Sequence, residues 1–278
     1  MNVDVRQLLA AAQLAADRAV AFLLREEGRR GPAEWSEKGR ADFVTEVDRE
    51  SERLIAETLL RAAPGSTVVG EELTPTAAAE AAGAGLAWVV DPLDGTTNYL
   101  HRFPFYAVSI AALVDGVPVA GVVHHPSRGI RYHAVAGGGA FENGAPMRVS
   151  GVTEPRQALI GTGFPYRYKD ELPRYQAHFA AVIAGSGGLR RPGSAALDLC
   201  YVAAGLFDGF WELKLAPWDV AAGTLIVREA GGLVTGLGGE QQVIRHGSIV
   251  AGNPSIHRWL LELLNSSSPI PNPEPPIP

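Results

Sequence analysis

Cysteine is almost absent from this 278-residue chain. Cys200 stands alone, so no intramolecular disulfide can form, and a reducing cytoplasm is the expected location. The opening residues lack the features of a signal peptide. Met1 to Val20 has no basic start and no continuous apolar run, because Asp4, Arg6, Gln7, Gln13, Asp17 and Arg18 interrupt it. No stretch is expected to be long and apolar enough to span a membrane. Positive charge is in deficit, 24 Lys and Arg against 30 Asp and Glu, and the net charge of −6 argues against broad attraction to nucleic acid. Three motifs are also missing: the Gly-x-Ser-x-Gly nucleophile elbow, the Walker phosphate loop and a Cys-x-x-Cys pair. Their absence removes the commonest serine-hydrolase, P-loop and thiol-redox readings.

What is present is an ordinary globular balance, 46% hydrophobic and 19% charged, with 32 glycines that imply many tight turns. Val5, Leu8, Leu9, Ala12, Ala16, Val20, Leu23 and Leu24 recur at helical spacing and predict one apolar helix face. A second helix is predicted from about Val47 to Arg61, with Leu54, Ile55, Thr58 and Leu59 inward and Pro64-Gly65 as its stop. Thr67 to Val69 and Ala87 to Val90 read as strands, the latter stopped by Asp91-Pro92. Tyr106 to Val114, Val117 to His124 and Ile130 to Val135 read as antiparallel strands joined by Asp115-Gly116 and Ser127-Arg128-Gly129, and Glu142-Asn143-Gly144 is a further turn. The second half mixes predicted strands at Leu159 to Gly161, Gly209 to Glu212 and Ser248 to Ala251 with helices at Leu172 to Ile183, Ala195 to Ala204, Asp219 to Ala230 and Ile256 to Leu264. From Asn265 onward Ser and Pro dominate, a composition with no means of forming a core.

One segment carries chemistry: Trp88-Val89-Val90-Asp91-Pro92-Leu93-Asp94-Gly95-Thr96-Thr97-Asn98. A buried strand delivers Asp91, Pro92 turns the chain, Asp94 follows, Gly95 permits a sharp bend, and Thr96 and Thr97 suit the start of a short helix. Two carboxylates and an intervening carbonyl can grip a hard cation, and free N–H groups at the helix start can hold a phosphate. In isolation the same residues would be a plain turn with Asp94 as helix cap. Two more acidic sites at element ends weigh against that: Glu71-Glu72 after a strand, and Asp219 at the opening of a helix.

Other residues invite a role and have a plainer reading. His124-His125 lie at a strand end before Pro126, where a polar terminus is expected rather than a metal site. Cys200 falls in an apolar helical pattern and is expected to be a small buried hydrophobe. Gly137-Gly138-Gly139 lacks a following helix and reads as a hairpin turn. Arg190-Arg191 reads equally as a solvated pair and as a binder of phosphate or of a partner subunit.

These residues resemble the inositol monophosphatase family, bacterial branch. Gly70-Glu71-Glu72, the Trp88–Asn98 segment, and Pro217-Trp218-Asp219-Val220-Ala221-Ala222-Gly223 running on to Glu229-Ala230-Gly231-Gly232 match its three signatures in order. Asp42 to Asp48 and Arg190 to Leu199 match more weakly. The resemblance implies an α/β fold, a layered αβαβα sandwich, with residues 1–264 as one catalytic domain (an α+β half to about 145, an α/β half from 146) and 265–278 as a tail. It implies two or three Mg²⁺ held by Glu71, Asp91, the Leu93 carbonyl, Asp94 and Asp219. Glu71 and Thr96 would orient the attacking water and Asp48 would support Thr96. Asp94 and the Gly95 and Thr96 backbones would meet the substrate phosphate, and Gly193, Ser194, Ala195 and Glu212 its hydroxyl-bearing part. Lys38 stands one residue closer to Asp42 than the active-site lysine of some animal members. The expected reaction is Mg²⁺-dependent, Li⁺-sensitive hydrolysis of myo-inositol monophosphate in a homodimer, without membrane or direct nucleic-acid partners. The alternatives are histidinol phosphate or fructose bisphosphate as substrate, and an added binding role toward RNA polymerase or ribosome biogenesis.

Overall fold

A computed structural model describes residues 4–27, 36–37, 43–44, 46–74, 83, 85–245 and 247–266. Helix α1 (Val5–Glu26) is opened by Asp4, whose carboxylate accepts from the Arg6 N–H. Two short strands, β1 (Ser36–Glu37) and β2 (Phe43–Val44), precede α2 (Glu46–Ala62). A seven-stranded sheet follows: β3 (Thr67–Gly70), β4 (Leu86–Asp94), β5 (Ala107–Val114), β6 (Val117–His125), β7 (Ile130–Val135), β8 (Gly139–Glu142) and β9 (Ala145–Pro146), in that spatial order. Only β3 and β4 run parallel; α3 (Thr96–Leu100) sits between β4 and β5. The second sheet uses β10 (Leu159–Thr162), β11 (Gly188–Arg190), β12 (Gly209–Glu212), β13 (Leu233–Thr235) and β14 (Ile249–Gly252) in the order β11-β10-β12-β14-β13. Its helices are α4 (Leu172–Gly185), α5 (Ala195–Ala203), α6 (Pro217–Glu229) and α7 (Pro254–Asn265).

Strand alternation sorts these elements into layers. Trp88, Val90, Val108, Ile110 and Ala112 face α1 and α2, while Val89, Ala107, Ala111 and Leu113 face α5 and α6. In the second sheet Phe210, Ile249 and Ala251 face α5 and α6, while Ile160, Trp211 and Val250 face α4 and α7. The order is helices, sheet, helices, sheet, helices, the αβαβα sandwich that the resemblance implies.

Several expectations are corrected. By length and mean hydropathy α1 does pass for a membrane-crossing helix. Its apolar stripe, built largely from Ala11, Ala12, Ala15, Ala16 and Ala19, is buried against α2 and the first sheet, and Leu24 at its edge is 45% exposed. β4 does not stop at Asp91 but resumes pairing at Asp94 after an irregularity, because Pro92 has no N–H to give the ladder. His125 is fully buried rather than a polar terminus, edge-on to Phe105, and its burial lowers its pKa to about 4. α7 extends through Asn265, whose side chain donates to the Leu237 and Leu261 carbonyls, so the tail begins later than predicted. Lys38 lies outside the described residues. The hairpin turn at Gly137 to Gly139 and the burial of Cys200 are as expected.

Candidate active site

The chain turns a corner at the end of β4. Asp91 is buried, and its Oδ1 accepts from the Leu93 N–H at 3.0 Å, which tightens the Pro92 turn. The Leu93 carbonyl accepts from the Thr96 hydroxyl at 3.1 Å. Gly95 then adopts φ +96°, a left-handed conformation that L side chains avoid; a Cβ there would also come within 3.1 Å of the Phe105 carbonyl oxygen. This bend starts α3, and a helix start leaves N–H groups without partners of their own. Asn98 ties the corner to the other half of the chain, donating to the Phe105, Pro192 and Gly193 carbonyls at 2.6, 3.0 and 3.3 Å.

Across the cleft, Asp94 Oδ2 accepts from the Ser194 hydroxyl at 2.6 Å and the Ala196 N–H at 2.7 Å. Ser194 also caps α5 through the Leu197 N–H. Asp219 caps α6, its Oδ2 accepting from the Ala216 N–H at 2.7 Å. Glu71 follows β3, and Arg167 donates to its Oε1 at 2.9 Å. Glu212 ends β12. The cleft these residues line has a volume of about 400 Å³ and also takes in Gly95, Thr96, Gly193 and Ala195. Asp48 is buried in the first turn of α2, the helix packed against β4.

Charge crowding is the site's main electrostatic feature. Burial, then Glu71, Asp94 and Asp219 in turn, push the Asp91 carboxyl well above the usual carboxylate range. Burial and then Glu71 and Asp94 do the same to Asp219. Burial raises Asp94 to about 6 against the pull of its Ser194 and Ala196 bonds. Burial raises Glu212 to about 8, with Arg191 opposing. Buried carboxylates that repel one another need a counter-charge. Arg167 pairs with Glu71 and lowers Glu212 and Asp219 weakly, but it is half exposed. The donor set, all hard oxygen, fits a divalent cation such as Mg²⁺. Among the described residues no three His, Cys, Asp or Glu side chains converge on one point, and Asp91, Asp94 and Asp219 each keep one carboxylate oxygen clear of these protein hydrogen bonds.

Two cleft residues, Arg167 and Asp198, escaped sequence reasoning, and the Arg190-Arg191 pair, left open there, divides between two settings. Arg167 lies in the loop after β10, and the run Phe164-Pro165-Tyr166 before it was a readable loop signal. Arg191 parts from Arg190: its guanidinium lies over the rings of Phe164 and Tyr166 at 4.9 and 5.2 Å, while Arg190 turns to the Leu189 carbonyl. Asp198, on α5, is buried with Oδ1 lacking a partner and its carboxyl pushed well up by burial and then by Glu212 and Asp94.

Comparison with known proteins shows the family and the fold. The model of the inositol monophosphatase family matches residues 4–268. The inositol-1-monophosphatase of Mesorhizobium japonicum is 44% identical over 248 residues, 89% of this chain and 92% of that protein. The putative Nus factor SuhB of Neisseria meningitidis serogroup B is 42% identical, covering 91% of this chain and 95% of its own. The crystal structure of the extragenic suppressor protein suhB from Bartonella henselae superposes with a TM-score of 0.86 at 39% identity, covering 94% of this chain and 99% of that one.

Proposed function

The chain belongs to the inositol monophosphatase family, and from that premise we propose that it hydrolyses a small polyol monophosphate, with myo-inositol monophosphate as the leading substrate and Mg²⁺ as cofactor. The observation that carries this reading is the crowding of Glu71, Asp91, Asp94 and Asp219 around one cleft. Such a set is destabilising by itself and becomes favourable once cations bind.

Glu71, Asp91, the Leu93 carbonyl, Asp94 and Asp219 would hold the cations. When bound, these would neutralise the phosphate and lower the pKa of a water. The protein's own groups do the rest. The Thr96 hydroxyl, which donates to the Leu93 carbonyl, would orient a water together with Glu71, in the lining of the same cleft. The Gly95 and Thr96 N–H groups, in the cleft lining at the start of α3, would donate to the phosphate. Gly193, Ser194 and Ala195 form the opposite wall, and Asp94 reaches into that wall through Ser194. Glu212, raised to about 8, carries a proton near neutral pH and can both donate to and accept from an alcohol hydroxyl.

The test is phosphate release over a panel of inositol, sugar, histidinol and nucleotide phosphates. Inositol monophosphate is expected to give the highest kcat/KM. Clear preference for histidinol phosphate or a sugar bisphosphate would keep the phosphatase and replace the substrate.

A further inference from the structure

Helix α2 carries a buried polar stripe. Asp48, Ser51 and Glu52 stand at i, i+3 and i+4 on one face, at 2%, 0% and 1% exposure. Two of them reach the two turns that carry cleft carboxylates. Ser51 donates its hydroxyl to the Pro92 carbonyl at 3.1 Å, inside the Asp91–Asp94 turn. Glu52 points to the Glu71 turn: its Oε2 accepts from the Glu72 N–H at 2.7 Å and its Oε1 from the Leu73 N–H at 3.0 Å.

The turn is shaped to receive that carboxylate. A Cβ on Gly70 would lie 2.0 Å from Glu52 Oε1, so only glycine leaves room for it. Thr74 closes the turn from the far side, accepting from the Gly70 N–H at 2.9 Å and donating to the Val68 carbonyl at 3.2 Å. The Glu71 N–H donates to the Val90 carbonyl at 3.3 Å, next to Asp91. Glu71 is therefore the residue whose backbone is pinned on both sides while its side chain faces the cleft.

We propose that Glu52 is a positioning residue: it fixes residues 70–73 so that the Glu71 carboxylate meets a cation beside Asp91, while Ser51 holds the Pro92 turn from the same helix. α2 thereby sets the spacing between the two halves of the cation site. The proposal rests on the reading of Glu71 as a cation ligand. Glu52 acts through the Glu72 and Leu73 backbone N–H groups, as groups behind a metal's own ligands commonly do.

The test is calorimetric titration of Mg²⁺ into the metal-free full chain as wild type, Glu52→Gln, Glu71→Gln and the double variant. Glutamine keeps the shape but sets an NH₂ against one of the two backbone donors. Glu52→Gln is expected to weaken Mg²⁺ binding by about tenfold or more, with most turnover recovered at saturating Mg²⁺. Added to Glu71→Gln, it should change binding by less than about twofold, because residues acting through one another are not additive. Gly70→Ala pushes the Glu52 carboxylate away from the other side and should weaken binding similarly, which keeps the test open if Glu52→Gln does not fold. Wild-type affinity in folded Glu52→Gln, or an undiminished second loss in the Glu71→Gln background, overturns the proposal. A wild-type chain that binds no Mg²⁺ overturns the cation reading, and this proposal with it.

Discussion

Asp91 and Glu212 are both buried carboxyls in one cleft, yet their neighbours differ, and so should their failures. Asp91 is crowded by three other acids, and Asp91→Asn removes a charge from the centre of the proposed cation site. Turnover is expected to collapse on every substrate, aryl phosphates included. Glu212 stands against Arg191 on the far wall. Glu212→Ala should leave aryl phosphate hydrolysis in place and cost roughly 1–3 kcal/mol on the polyol substrate. Glu212→Gln copies the donor and acceptor of the protonated carboxyl and should lose less. Loss of aryl phosphate hydrolysis in a folded Glu212 variant would place that residue in the chemistry instead. The raised carboxyls also set a pH dependence. A carboxyl whose folded pKa exceeds its unfolded value contributes stability at acid pH that is lost as pH rises through the folded value, near 6 for Asp94. A cation binds the ionised form and offsets that loss. The rise in melting temperature on adding Mg²⁺ should therefore be small at about pH 5 and grow toward about pH 8. An increment independent of pH, measured by differential scanning fluorimetry, would mean the cation binds elsewhere.

At the scale of elements, the β4–α3 corner is the joint between the two sheets' halves. The two amide hydrogens of Asn98 are shared among three carbonyls there, two of them almost a hundred residues away in sequence. Asn98→Ala should cost about 1–3 kcal/mol by stranding those acceptors and lower the melting temperature by a few degrees; an unchanged melting temperature would show the corner to be held without it. The corner was legible in the sequence because its parts are local: an apolar strand, a proline, Asp94-Gly95, then two threonines. Contacts between distant segments were not. Nothing near Ser51 and Glu52 announces that they serve the turns at Pro92 and Glu72, and helical periodicity assigned the inward face of α2 to Leu54, Ile55, Thr58 and Leu59 alone. Arg167 and Asp198 were missed for the same reason, their role depending on what the fold brings opposite them, and the Arg190-Arg191 pair could not be divided without it. β8 and β9 were not read as strands because Gly137, Gly138, Gly139 and Gly144 surround them and only turn signals stand out there.

For the whole molecule, the five layers put apolar residues between both sheets and leave the carboxylates at one cleft where β3, β4, β12, α5 and α6 end or begin. The arrangement stores repulsion in a rigid frame, since β4 is paired on both sides and α5 and α6 are buried on nearly every face. A frame of that kind is suited to holding cations at fixed separation and ill suited to relaxing without them. The most direct measurement is initial-rate phosphate release from myo-inositol 1-phosphate by the wild-type chain, in Mg²⁺, in excess EDTA, and in EDTA with Mg²⁺ restored. Steady turnover in Mg²⁺, its loss in EDTA and its return on restoration are the predicted results. Undiminished release in EDTA, or no release in Mg²⁺, would contradict the reading of this cleft as a cation-dependent phosphatase site.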